Sequence, residues 1–183
     1  MTVTILRKGL PALAAAAIAL QPVAASAQQS CITEAEVSAV AIYSLPGLVQ
    51  SVRLRCNGEL SPNGYLARRG DSLIARYAAL QNGAWPRAKA GMLNVLSRQS
   101  SASQSRQTLD MAANLPDSAV RPLVDALIVQ ELSPKIEIGH CGRIERLIEV
   151  ASPIDPEIAG TMLGVVAGIV NHKDLPICPA RRT

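Results

Sequence analysis

The stretch Asp155–Asn171, DPEIAGTMLGVVAGIVN, constrains the fold of this chain more than any other. Asp155 can accept hydrogen bonds from the free N–H groups of a first helical turn. Pro156 fits the first helical position, where its missing N–H costs nothing. Glu157 puts negative charge at the positive end of the helix dipole. Ile158, Met162, Val165, Val166 and Ile169 recur at spacings of three and four and share one face. Gly160, Gly164 and Gly168 recur every four residues on the opposite side, and Asn171 is the expected stop. Each interior glycine costs about 1 kcal/mol relative to alanine. Close approach of another helix, from this chain or a second copy, is the physical reason to keep three of them. The expected element is a core helix buried on both sides. Gly-x-x-x-Gly also packs transmembrane helices, but this apolar run falls short of the ~20 residues that a bilayer span needs.

The N-terminal 27 residues have the pattern of a secretory signal peptide. Arg7 and Lys8 supply the positive start, Leu10 to Leu20 the apolar centre, and Ala25-Ser26-Ala27 the small-residue cleavage site, so cleavage is expected between Ala27 and Gln28. The signal has a bacterial style, so the expected location is periplasmic or secreted, with no membrane-spanning segment after cleavage. The remaining 28–183 suit a single domain. With no Phe, one Trp and three Tyr in the chain, the expected core is aliphatic.

Four cysteines in an exported chain imply two disulfides. Of three possible connectivities, the local closures Cys31–Cys56 and Cys141–Cys178 are expected, because each pair brackets one or two helices.

Helical signals follow one another without a convincing strand. Thr33-Glu34-Ala35-Glu36 is a capping box, and apolar spacing continues to Val52, with Pro46 expected to kink or split the helix and Ser44 to cap the second piece. Ser61-Pro62 opens a second stretch, broken at Gly70-Asp71 and ended by the Asn82-Gly83 turn. Trp85-Pro86 opens the next. Residues 97–107, SRQSSASQSRQ, are too polar to bury a face and are expected to form a loop. Helices from Asp117 and from Cys141 precede the glycine-striped one, joined by an extended Lys135–Ile138 connector. The expected class is all-α, a compact bundle of about seven or eight short helices stapled by two disulfides.

The charge is uneven. Residues 28–106 carry nine Lys/Arg against four Asp/Glu, a net +5, and 107–183 carry seven against ten, a net −3. Attraction between the halves accounts for this most simply. An Arg group, Arg53, Arg55, Arg68, Arg69, Arg76 and Arg87, offers an anionic envelope component as an alternative. Nucleic acid does not fit an exported chain with so few aromatic residues to stack on bases.

Motifs for chemistry are scarce. His140, Cys141, His172 and Cys178 are a zinc-type set, but the adjacent His140 and Cys141 lack the two-residue gap of paired ligands, and cysteines in an oxidising compartment would bond each other. Glu137 and His140 have Glu-x-x-His spacing, without the second pair that a di-iron bundle needs. Cys-x-x-Cys, Gly-x-Ser-x-Gly, His-Glu-x-x-His and the phosphate-loop motif do not occur in the sequence. No cofactor is expected. The leading expectation is a non-enzymatic module of the bacterial envelope that binds another macromolecule or itself. The alternatives are a hydrolase assembled around His140 or His172, and a carrier of an apolar ligand.

Overall fold

The first helix, α1, spans Glu34–Arg55 and starts with the capping box. The Glu36 N–H donates to Thr33 Oγ1 at 3.1 Å, and the Thr33 N–H donates to the Glu36 carboxylate at 2.8 Å. The computed structural model describes residues 31–99, 113–170 and 177–178. The signal segment, with Ala27 and Gln28, lies outside the described residues, as does most of the 97–107 stretch. Its first residues, to Gln99, are helical.

Pro46 does not split α1. It lies buried within one continuous helix, and Ser44 does not cap a new one: its hydroxyl donates back to the Val40 carbonyl at 2.7 Å. A larger correction concerns α2, Tyr65–Gln99, a single helix of 35 residues and about 50 Å that runs through Gly70-Asp71, Asn82-Gly83 and Trp85-Pro86. Packing along α1 overrides these local breakers. Helix α3 spans Asp117–Leu132 and short 3-10 turns follow at Ser133–Lys135 and Ile138–His140. Helix α4 spans Cys141–Ala151 and α5 spans Pro156–Val170. The described residues therefore form five α-helices, not seven or eight. They contain no strand, only an isolated parallel bridge between Ile32 and Ile177.

Helix α1 is the hub, with α2, α3 and α5 packed around it. Its close neighbours demand small residues at two points. A Cβ at Gly47 would stand 2.7 Å from Ile128 of α3, and one at Gly91 of α2 would stand 3.2 Å from the Glu36 Cβ. The core has two parts. One surrounds Cys56 and Cys141 with Val49, Val52, Leu66, Leu73, Tyr77 and Ile136. The other holds Ala39, Tyr43, Trp85, Ala88 and Val120. The core is thus not purely aliphatic: Trp85 and Tyr43 are its largest enclosed side chains, each only 1% exposed, with ring centroids 4.9 Å apart. The Arg121 guanidinium sits 5.0 Å from the centre of the indole.

Tyr43 Oη and Trp85 Nε1 are buried without a hydrogen bond of normal geometry. They still act on α3 electrostatically. Burial, then Asp125, pushes the Tyr43 hydroxyl above its ordinary range. The indole N–H, then Lys89, holds the Asp117 carboxyl below the usual carboxylate range. Lys89–Asp117, at 3.2 Å, also joins the basic half to the acidic half.

The cysteines pair across the fold. Cys31 bonds Cys178, and Cys56 bonds Cys141, so neither expected local closure forms. The bridge from the Cys178 N–H to the Ile32 carbonyl, 2.8 Å, reinforces the first bond. The second ties the end of α1 to the start of α4, where both sulfurs are buried. Helix proximity in space, rather than distance along the chain, selects these partners. Non-reducing peptide mapping should return Cys31–Cys178 and Cys56–Cys141 peptides and no Cys31–Cys56 peptide. Replacing both Cys56 and Cys141 with Ala should cost about 2–5 kcal/mol in denaturant unfolding.

Candidate functional site

Helix α5 begins as its sequence dictates. Asp155 Oδ1 accepts from the N–H groups of Glu157 at 2.9 Å and Ile158 at 3.3 Å. Its glycine strip then lies against α1. A Cβ at Gly160 would meet Ile42 at 2.7 Å and Ser38 Oγ at 2.9 Å. At Gly164 it would meet the Glu34 carbonyl oxygen at 2.5 Å, and at Gly168 the Glu34 carboxylate at 2.9 Å. This backbone approach offsets the helix propensity that the glycines forgo.

The opposite face departs from expectation. Ile158, Met162, Val165, Val166 and Ile169 are not core residues: they are 43–77% exposed. Only one layer covers α5, because α1 is its one extensively packed neighbour among the described residues. One helix cannot bury both sides of another. The glycine side goes inward, since glycines facing water would forgo propensity with nothing in return. Leu163 and Val170 are also exposed at the edge of the aliphatic face. Pro156–Val170 carries a single charged residue, Glu157, which lies to one side beside a cleft. Together these side chains form one apolar helix face, of the size of the largest apolar patch on an ordinary monomer, about 300–600 Å².

Three concavities adjoin α5. One, about 860 Å³ and open, lies on the aliphatic face itself, where Ile158, Met162, Val165 and Val166 share it with Thr161, Asp155 and Glu157. The cleft, about 680 Å³, runs between α1, α2 and α5 and mixes Glu34, Glu157 and Arg87 with Ile42 and Leu80. A smaller cavity, about 240 Å³, is lined by Ile32, Val37, Val40, Val95, Ala167 and Ile177, among others, near the Cys31–Cys178 bond.

The other residues singled out by the sequence do not converge. His140 lies on an exposed 3-10 turn, its side chain half exposed, with Nδ1 3.3 Å from the carboxylate of Glu137. The Glu-x-x-His pair therefore meets itself. His172 lies outside the described residues. Cys141 and Cys178 belong to different disulfides. No group of three potential metal ligands occurs among the described residues. The arginines are dispersed: Arg53 pairs with Asp71, Arg55 donates to the Ile136 carbonyl at 3.3 Å, and Arg76 donates to the Ser152 carbonyl.

Glu145 has a structural role that its local sequence does not announce. It reaches from α4 to the start of α2, where its carboxylate accepts the Leu66 N–H at 2.9 Å. The signal available was negative: Ser61-Pro62 precedes the observed helix start by several residues, so α2 lacks an N-cap side chain of its own at Tyr65.

Comparison with protein-family models, curated proteins and solved structures finds no match for this chain.

The glycine contact predicts unequal effects of alanine. Gly164→Ala drives a methyl group into the Glu34 main chain and should destabilise the protein by about 1–3 kcal/mol, beyond the propensity gained. Gly168→Ala meets only the mobile end of the Glu34 side chain and should be neutral, or stabilising by up to about 1 kcal/mol. Thermal and denaturant unfolding of the two variants compare them directly.

Proposed function

We propose that this chain is an exported, disulfide-stapled binding protein of the bacterial envelope, and that it acts by docking the aliphatic face of α5 on another protein surface. The observation that carries the reading is that face itself, five large aliphatic side chains left in water by a helix whose other side is fixed to α1. Two disulfides, closing spans of 147 and 85 residues, suit an oxidising compartment and agree with the export signal. The half-exposed His140, paired among the described residues with its near neighbour Glu137, gives no comparable support to hydrolysis.

The 240 Å³ cavity supports a second reading, carriage of a small apolar ligand. Its lining is apolar, with Gly91 beside the aliphatic side chains, in a pocket partly open to solvent. Native mass spectrometry of freshly purified protein should then show a bound hydrocarbon-rich species; protein that is always empty contradicts carriage.

The binding reading is tested in the cell. A photoreactive amino acid at Val166 should give a discrete protein adduct on illumination. One at the exposed Asp71, on α2, should not. Absence of an adduct at Val166, together with turnover of a small substrate that survives Ile169→Glu, would overturn the proposal.

A further inference from the structure

We infer that the surface docked on α5 is the α5 face of a second copy, packed antiparallel about a twofold axis. The inference rests on the binding reading above and specifies its partner.

Three features of the face converge. The first is spacing. Ile158, Met162, Val165 and Ile169 follow one another at intervals of four, three and four, the interval pattern of a coiled-coil seam. Moreover, the pattern is palindromic about the point between Leu163 and Gly164. When two such helices run antiparallel through that point, each Ile158 meets Ile169 of the partner subunit, and each Met162 meets Val165 of the partner subunit. Large side chains face large ones throughout, and the two helix dipoles oppose each other favourably.

The second is charge. The seam and its flanking positions, Thr161 and Gly168 on one side and Ala159 and Val166 on the other, carry none. A charged partner would therefore be neither steered nor paired here. A lipid surface also fits poorly, because interfacial helices use Lys and Arg beside their apolar face, and α5 contains neither. An uncharged aliphatic seam is complementary to itself, with Asp155 and Glu157 beside its N-terminal end.

The third is area. The five aliphatic side chains expose on the order of 500 Å², so pairing two faces buries at most on the order of 1,000 Å², the threshold of a specific interface and the size of a weak, concentration-dependent dimer.

Sedimentation velocity of the purified, oxidised full-length mature chain, from about 1 to about 100 μM, tests the inference. The expected result is a doubling of mass with concentration. Ile169→Glu should raise the dissociation constant at least about tenfold without changing the thermal unfolding midpoint of the dilute monomer, since the residue is exposed there. Leu123→Glu, at an exposed position on α3, should leave dimerisation intact. The double variant Ile158→Lys/Ile169→Glu should recover the dimer, because antiparallel packing sets each new positive charge against the partner's new negative one. A wild-type chain that stays monomeric at the highest concentration overturns the inference, as does a dimer indifferent to Ile169→Glu. Failure of the double variant to recover overturns the antiparallel arrangement. A monomer that still forms a Val166 adduct of non-dimer mass in the cell would leave the binding reading standing while the second-copy inference falls.

Discussion

Everything in this fold depends on enclosing α1. A helix that is apolar nearly all round must be surrounded, and α1 has inward-facing residues on several sides, from Ala39 and Tyr43 to Val49, Ser51 and Val52. By length and composition it resembles a membrane span. Here α2, α3 and α5 supply the cover instead. The small residues of the chain sit where that cover is closest: Gly47 admits α3, Gly91 admits α2, and the α5 glycines admit the start of α1. The Tyr43–Trp85 pair fills the space between α1 and α2 that aliphatic side chains leave open.

The disulfides reinforce the same arrangement. Each begins at an end of α1, Cys31 just before it and Cys56 just after, and each reaches a distant element. One holds Ile177 and Cys178 beside Ile32, and the other holds α4 beside the α1 terminus. Covalent closure of such long spans constrains the unfolded chain most strongly in the entropic account. Within it, Glu145 and the Cys141 sulfur fix α4 to α2 and α1 respectively.

Local chemistry was legible in the sequence. The Thr33–Glu36 capping box, the Asp155 cap, the opposed faces of α5 and the helix starting at Cys141 all depend on neighbours a few residues away. Features set by distant packing were not. Gly70, Gly83 and Pro86 are ordinary helix breakers, yet α2 continues through them because α1 lies alongside. The cysteine pairing could not be read from proximity along the chain. The candidate site was half legible: periodicity defined its two faces, but not that a single covering layer leaves the larger one in solvent. The lone Trp, read as a helix start, was instead the anchor of half the core.

Helix α5 thus presents its small residues to the fold and its large ones to the surroundings. This orientation is the central claim, because the proposed binding surface exists only if it is correct. Hydroxyl-radical footprinting of dilute native protein tests it through two methionines. Met162 lies at the middle of the exposed face, whereas Met92 packs against the Tyr43–Trp85 cluster. Met162, about half exposed, should be oxidised several-fold faster than Met92. Protection of Met162 in the dilute monomer equal to that of Met92 would place the aliphatic face inside the fold and contradict this account.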